Sequence, residues 1–188
     1  MLPELEGRDS SSLRAIPCGG SAVPRALSEA YRTQIGLPLL QAWGMTETSP
    51  ICAVAHLDVD EQDLDEDTKA DLRTMVGRIN FGVEMRVVDP DTREEVAERH
   101  VGELLLRGTS VTPGYYKRDD ATAALFHDGW LCTGDLAYVL DGELVLCGRI
   151  KDVIIVGGRN VFPEDIERAV GGLGGVRAGN VIAFGQDG

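Results

Sequence analysis

The stretch Gly148-Arg149-Ile150-Lys151-Asp152-Val153-Ile154-Ile155-Val156-Gly157-Gly158-Arg159-Asn160 constrains the fold more than any other, because a charged break separates two runs that both favour strands. Leu144-Val145-Leu146-Cys147 before the break is apolar, and Val153-Ile154-Ile155-Val156 after it is a β-branched run, which predicts a strand on either side. Arg149, Lys151 and Asp152 fall between them. Charges so closely spaced enter a core only if they are paired or bound to a ligand; otherwise they stay in water. Gly157-Gly158 then permits a turn that a Cβ would resist. Two readings stay open on these residues: a hinge between two bodies, or a charged hairpin closed by a tight turn.

A chain of 188 residues suffices for one ordinary domain, or for one domain and part of another, and its apolar fraction of 43% supports a packed core. No run approaches the roughly 20 apolar residues of a membrane span, and the first residues lack the pattern of a secretory signal, so a cytoplasmic protein without a membrane span is expected. The formal charge of −13 argues against nucleic acid or an anionic membrane as partner. Much of that excess lies in residues 58–71. Cys18, Cys52, Cys132 and Cys147 form no CxxC pair and have no His at metal-ligand spacing, so they read as small core fillers in a reducing compartment.

Residues 1–12 read as a loop and residues 13–17 as a short strand leading into Cys18-Gly19-Gly20-Ser21-Ala22. Glycines between a strand and a helix let backbone approach a ligand, and a helix N-terminus favours anions; an ordinary strand-to-helix turn is the alternative. From Pro24 the apolar positions Leu27, Ala30, Tyr31 and Ile35 recur at helical spacing, with Gly36 placed to stop the helix. Residues 37–40 then form a second strand, giving the strand, helix, strand unit of α/β folds. Past it, Gln41-Ala42-Trp43-Gly44-Met45-Thr46-Glu47-Thr48-Ser49-Pro50 crowds an aromatic ring, a glycine, hydroxyls and a carboxylate where open α/β sheets bind ligands.

Residues 58–75 read as a loop and a solvated surface helix. From Val76 the texture changes to glycine-punctuated strands, at 85–88 and 101–107 about a turn at Asp89-Pro90-Asp91, which predicts an antiparallel or barrel-like section. Asp119-Asp120 opens a short helix through residue 126, Gly129 to Asp135 follows, and Asp141-Gly142 marks a hairpin between 137–140 and 143–147. Pro163-Glu164-Asp165 starts a helix with Ile166, Ala169, Val170 and Leu173 on one face, ending near Gly171 and Gly172. The run Gly171-Gly172-Leu173-Gly174-Gly175 lacks the Lys and Ser/Thr of a phosphate loop and reads as a linker, after which residues 181–184 form a last strand.

Five stretches, in this order, resemble the adenylate-forming superfamily of acyl-CoA synthetases, adenylation domains and luciferases. They are Gly19-Gly20-Ser21; Trp43-Gly44-Met45-Thr46-Glu47; Gly102-Glu103-Leu104 with Gly108 and Gly114-Tyr115-Tyr116; Thr133-Gly134-Asp135; and Gly148-Arg149-Ile150-Lys151-Asp152 with Gly158. The resemblance implies a mixed α/β fold: residues 1–147 as the later part of a large α/β AMP-binding domain with a β-barrel-like section, 148–152 as a hinge, and 153–188 as the start of a small α+β lid domain. It implies that Gly20, Ser21, Trp43, Gly44 and Met45 surround the adenine of ATP or AMP, with Trp43 offering a stacking face where most relatives have Tyr. It further implies Thr46 at the α-phosphate, Glu47 on Mg²⁺, Asp135 on both ribose hydroxyls and Arg149 on the same ribose. Lys151 falls at the pivot of the small domain, and Gly158 on the loop brought to the acyl-adenylate for thioester formation.

The activity implied is activation of a carboxylic acid, most like the fatty acyl branch, to an acyl-adenylate with transfer to CoA. A fatty acyl-AMP ligase or an adenylation domain serving an acyl carrier protein is the alternative, and a non-catalytic nucleotide-binding remnant is a third reading. The Ser/Thr/Gly-rich phosphate loop with its lysine and the later C-terminal lysine of the superfamily are not in these 188 residues, so the isolated chain is expected to be inactive.

Overall fold

A computed structural model of the chain describes residues 9, 11–21, 23–55, 76–171, 173–177 and 180–185. The acidic segment expected to hold a surface helix lies outside the described residues, as do Ala22, Gly172 and most of the first loop.

Strand β1 (Ile16–Cys18), helix α1 (Arg25–Ile35) and strand β2 (Leu39–Trp43) make the expected parallel unit, with Ile16 opposite Leu39 and Cys18 opposite Gln41. Helix α1 buries Tyr31 against Val23 and Leu39, with Ile16, Cys18 and Ile35 packed around them. It stops at Gly36, whose N–H returns to Arg32 O in a left-handed cap. Short strands β3 (Ala53–Val54) and β4 (Arg78–Ile79) extend the sheet in the order β1-β2-β3-β4. Two expectations shift here. The first strand begins at Ile16 because β2 offers partners only to residues 16–18. The second continues through Trp43 because β3 pairs Ala42 and Trp43 along the other edge, so Gln41, Ala42 and Trp43 are strand residues rather than loop.

The second body is a five-stranded antiparallel sheet of β5 (Val83–Val88), β6 (Gly102–Gly108), β7 (Phe126–His127), β8 (Trp130–Leu140) and β9 (Glu143–Arg149), with helix α2 (Asp119–Leu125) beside it. Strand β6 is apolar on both faces because both are covered. Leu104 and Leu106 enter the main core with Leu131, Ala137 and Leu144, while Leu105 packs with Val88 and Trp130 on the opposite side. Register shifts between Glu103 and Leu105, and between Leu136 and Ala137, bend the sheet into its barrel-like form. Residues 130–140 are one strand of 11 residues rather than a stretch leading to a later strand, because β6 and β9 pair along its two edges. Asp141-Gly142 makes the expected hairpin, with φ of 51° and 81°.

After β9 a 3-10 turn (Ile150–Asp152) leads to β10 (Ile154–Val156), which pairs with β11 (Arg159–Val161), and then to helix α3 (Pro163–Gly171). Strand β9 pairs with β8 and β10 with β11, so residues 150–152 link two separate sheets, while the tight turn expected at Gly157-Gly158 closes the β10–β11 hairpin. Leu173 lies past the end of α3. Residues 181–184 form no strand: they pair with none of the described residues, the Ala183 N–H goes instead to Glu167 Oε1 at 2.9 Å, and Ile182 and Phe184 stay exposed. The mixed α/β class stands. All four cysteines are free, and Cys52 alone of them is fully buried, so the core-filler reading holds for it while the others are half-buried. Burial pushes the Cys52 and Cys147 thiols up to about 11, Cys147 with help from Asp165 and Glu164. Among the described residues no helix is long and apolar enough to cross a membrane.

Candidate functional site

The glycine turn after β1 is held against β2 by Gln41. This buried amide accepts from the Val23 N–H at 2.6 Å and donates to Ser21 O at 3.3 Å, so it pins both Ser21 and Val23. The turn therefore lies beside the strand that ends in Trp43. Just beyond, a Cβ on Gly44 would stand 1.7 Å from Pro50 O, so only glycine lets the loop of residues 44–50 close on itself. Buried Thr48 braces that loop: its hydroxyl accepts from the Met45 N–H at 3.1 Å and donates to Met45 O at 3.0 Å.

Thr46 and Glu47 sit in a 3-10 turn (Thr46–Thr48) on this brace, and residues 110–115 tie the turn down from outside. Ser49 donates to Ser110 O at 3.0 Å, and the Thr112 N–H donates to Glu47 O at 2.8 Å. The Tyr115 hydroxyl donates to Glu47 Oε1. That bond raises the Tyr115 pKa, which keeps the phenol a donor. Mg²⁺ is characteristically held by one or two carboxylates together with substrate phosphates. Glu47 offers one such carboxylate, its Oε1 engaged by the Tyr115 hydroxyl; the described residues hold no cluster of three acidic, His or Cys side chains.

Asp135 lies mid-strand in β8, where the Thr133 hydroxyl accepts from its N–H at 3.1 Å and donates to Leu104 O at 2.8 Å. Its carboxylate, in a residue only 8% exposed, is held from two sides. Trp43 Nε1 donates to Oδ2 at 2.9 Å, and Arg149 Nε lies 3.2 Å from Oδ1. Arg149 is Asp135's ladder partner on β9, so sheet register alone delivers that cation. Burial raises the Asp135 pKa; Trp43 and Arg149 oppose the rise, and Asp152 adds to it.

The structure thus brings Trp43, Asp135 and Arg149 into contact and sets the turn carrying Gly20 and Ser21 beside the same strand. Gly44 and Met45 lead from Trp43 to Thr46 and Glu47, which Tyr115 joins. Lys151 is exposed in the turn after β9, which packs against β8. Gly158 is at the tip of the β10–β11 hairpin, with open space where a Cβ would stand. Sequence reasoning gave no role to Gln41, Thr112 or Tyr115. Gln41 carried a usable signal, a polar residue in an apolar strand beside a glycine turn; Tyr115 meets Glu47 across 68 residues, which no local pattern reports.

The family model described as "AMP-binding enzyme" matches residues 2–116. The chain is 36% identical over 181 residues to feruloyl-CoA synthase of an Amycolatopsis species, covering 96% of this chain and 35% of that protein. It is 37% identical over 171 residues to long-chain-fatty-acid–CoA ligase of Salmonella typhimurium, covering 89% and 28% respectively. Unliganded O-succinylbenzoate coenzyme A synthetase from Bacillus subtilis superposes with a TM-score of 0.80 at 29% identity, over 100% of this chain and 39% of that one. The chain spans about a third of the length of the curated relatives it matches. With its motifs in order and most of its length under that family model, the chain belongs to the AMP-binding enzyme family, within the adenylate-forming superfamily.

Proposed function

We propose that these residues are the nucleotide-handling part of an AMP-forming acid–CoA ligase, which joins a carboxylic acid to AMP with release of pyrophosphate and then passes the acyl group to CoA. The observation that carries the reading is the buried Asp135 carboxylate clamped between Trp43 and Arg149, an acceptor pair suited to two vicinal hydroxyls. In this reading Gly20, Ser21, Trp43, Gly44 and Met45 flank the adenine, Thr46 meets the α-phosphate, and Asp135 with Arg149 holds the ribose. Glu47 would hold Mg²⁺, which supplies charge neutralisation at the phosphates when bound.

Residues 148–152 are the proposed hinge between residues 1–147 and 153–188, with Lys151 as pivot and Gly158 on the loop that serves the second half-reaction. Support comes from β9 and β10 belonging to different sheets. The proposed acid is a fatty acid, on the likeness of residues 43–50 to the fatty acyl branch; an aromatic acid is the comparison to run beside it, given the feruloyl-CoA synthase relative. The 188 residues alone are proposed to be inactive, because positioning and charge around the phosphates need the lysines they do not hold.

Calorimetry of AMP binding tests the ribose assignment. AMP has the diol but no pyrophosphate, so Asp135→Ala should cost about 2–4 kcal/mol and Glu47→Ala markedly less. Equal losses from the two substitutions would refute the assignment of roles.

A further inference from the structure

Trp43 and Asp135 come from different sheets, β2 in the four-stranded and β8 in the five-stranded, and meet through one side-chain hydrogen bond of 2.9 Å. An ionised carboxylate offers about four acceptor sites, two on each oxygen. The Trp43 indole takes one on Oδ2 and Arg149 takes one on Oδ1. One site on each oxygen is left, and these are the two that a vicinal diol requires. An indole N–H only donates, so it cannot draw a ligand's hydroxyl away from the carboxylate; a tyrosine hydroxyl, at the tip of its ring, would both donate and accept. The two donors also differ in rigidity. The Arg149 side chain is 59% exposed, whereas Trp43 packs against the main core with its donor edge turned to Oδ2.

We propose that Trp43 is a positioning residue for Asp135: its indole N–H fixes the plane of the carboxylate so that one lone pair on each oxygen faces the two hydroxyls of a nucleotide ribose. The inference rests on the nucleotide reading above and adds a polar task to a residue whose ring face was its only assigned role. The groups facing the carboxylate are Trp43 from β2, Arg149 from β9 and Asp152 from the turn that follows. Burial and Asp152 favour the proton, while Trp43 and Arg149 oppose it. Without the indole donor the carboxylate takes its proton at higher pH. AMP binding, present above that pKa and lost as pH falls through it, then fails at a less acidic pH.

The test compares AMP with 2′,3′-dideoxy-AMP, binding each to the protein and to its Trp43→Phe variant, which keeps a ring face and lacks the donor. AMP affinity should fall about tenfold, one charge-assisted hydrogen bond's worth, with the acid limb of its pH profile moved upward. Affinity for the dideoxy nucleotide should change less than about twofold, because only the diol depends on the carboxylate plane. In an Asp135→Asn background the Trp43→Phe change should cost AMP almost nothing. A second readout needs no altered Trp43. The chain has two tryptophans, so Trp130→Phe assigns the Trp43 indole N–H resonance, which should titrate together with AMP affinity. Equal losses for both nucleotides, no loss for AMP, or an indole resonance indifferent to pH overturns the positioning role. An AMP affinity indifferent to Asp135→Asn overturns the nucleotide reading itself, whatever Trp43 does.

Discussion

Strands β6 and β10 have similar composition and opposite fates. In β6, Leu104-Leu105-Leu106 is almost wholly buried; in β10, Ile155 and Val156 are 72% and 60% exposed. Strand propensity is satisfied in both, since each pairs along at least one edge. What differs is the number of neighbours. β6 has β5 on one edge, β8 on the other and apolar side chains over both faces, whereas β10 has, among the described residues, only β11. A two-stranded ribbon stands on its turn and ladder, so its sequence can be apolar without being core. The proposed nucleotide site is built on the sheet that holds β6, with Asp135 and Arg149 on its adjacent strands β8 and β9, and the proposed pivot lies between that sheet and the ribbon.

The largest effect should come from the buried member. Leu104→Ala removes a fully buried side chain and should lower unfolding stability by about 2–5 kcal/mol in a denaturant titration. If the chain tolerates it as well as a hairpin substitution, the division into a packed sheet and a supported ribbon fails.

Lys151→Pro probes the junction. Lys151 is the middle residue of a three-residue 3-10 turn, whose φ of about −50 to −70° a proline matches, so the substitution should fix one orientation more than it unfolds the protein. In the full-length enzyme, pyrophosphate release should persist while acyl-CoA formation falls at least about tenfold, a barrier change near 1.4 kcal/mol. Parallel loss of both half-reactions, or loss of neither, would return residues 150–152 to a passive connection.

The smallest effect belongs to the ribbon. Ile155→Thr keeps β-branching at an exposed position and should shift stability by no more than about 0.5 kcal/mol. A loss comparable to that of Leu104→Ala would show that Ile155 is covered in solution and that the contrast between the strands is false.

Local pattern was enough for much of the chain. The helical spacing of Leu27, Tyr31 and Ile35, the stop at Gly36, the Asp141-Gly142 turn and the order of the family motifs were all legible, because each depends on residues within a few positions of one another. The failures share the opposite character. Residues 181–184 have strand composition but no ladder among the described residues, and at the charged break two readings stayed open because which strands pair depends on distant neighbours. Strand ends moved for the same reason: β2 runs to Trp43 because β3 is there to pair with it.

By itself the sequence determined the mixed α/β class, the family, and which residue types stand at each motif, since propensity, turn chemistry and motif spacing are written along the chain. Only the tertiary structure decided that the Trp43 indole meets Asp135 across 92 residues, that Tyr115 meets Glu47 across 68, and that Arg149 faces Asp135 in register. The direction of a donor edge toward a carboxylate is set by how two sheets pack, and that packing is the sum of many apolar contacts distant in sequence, which no local pattern encodes.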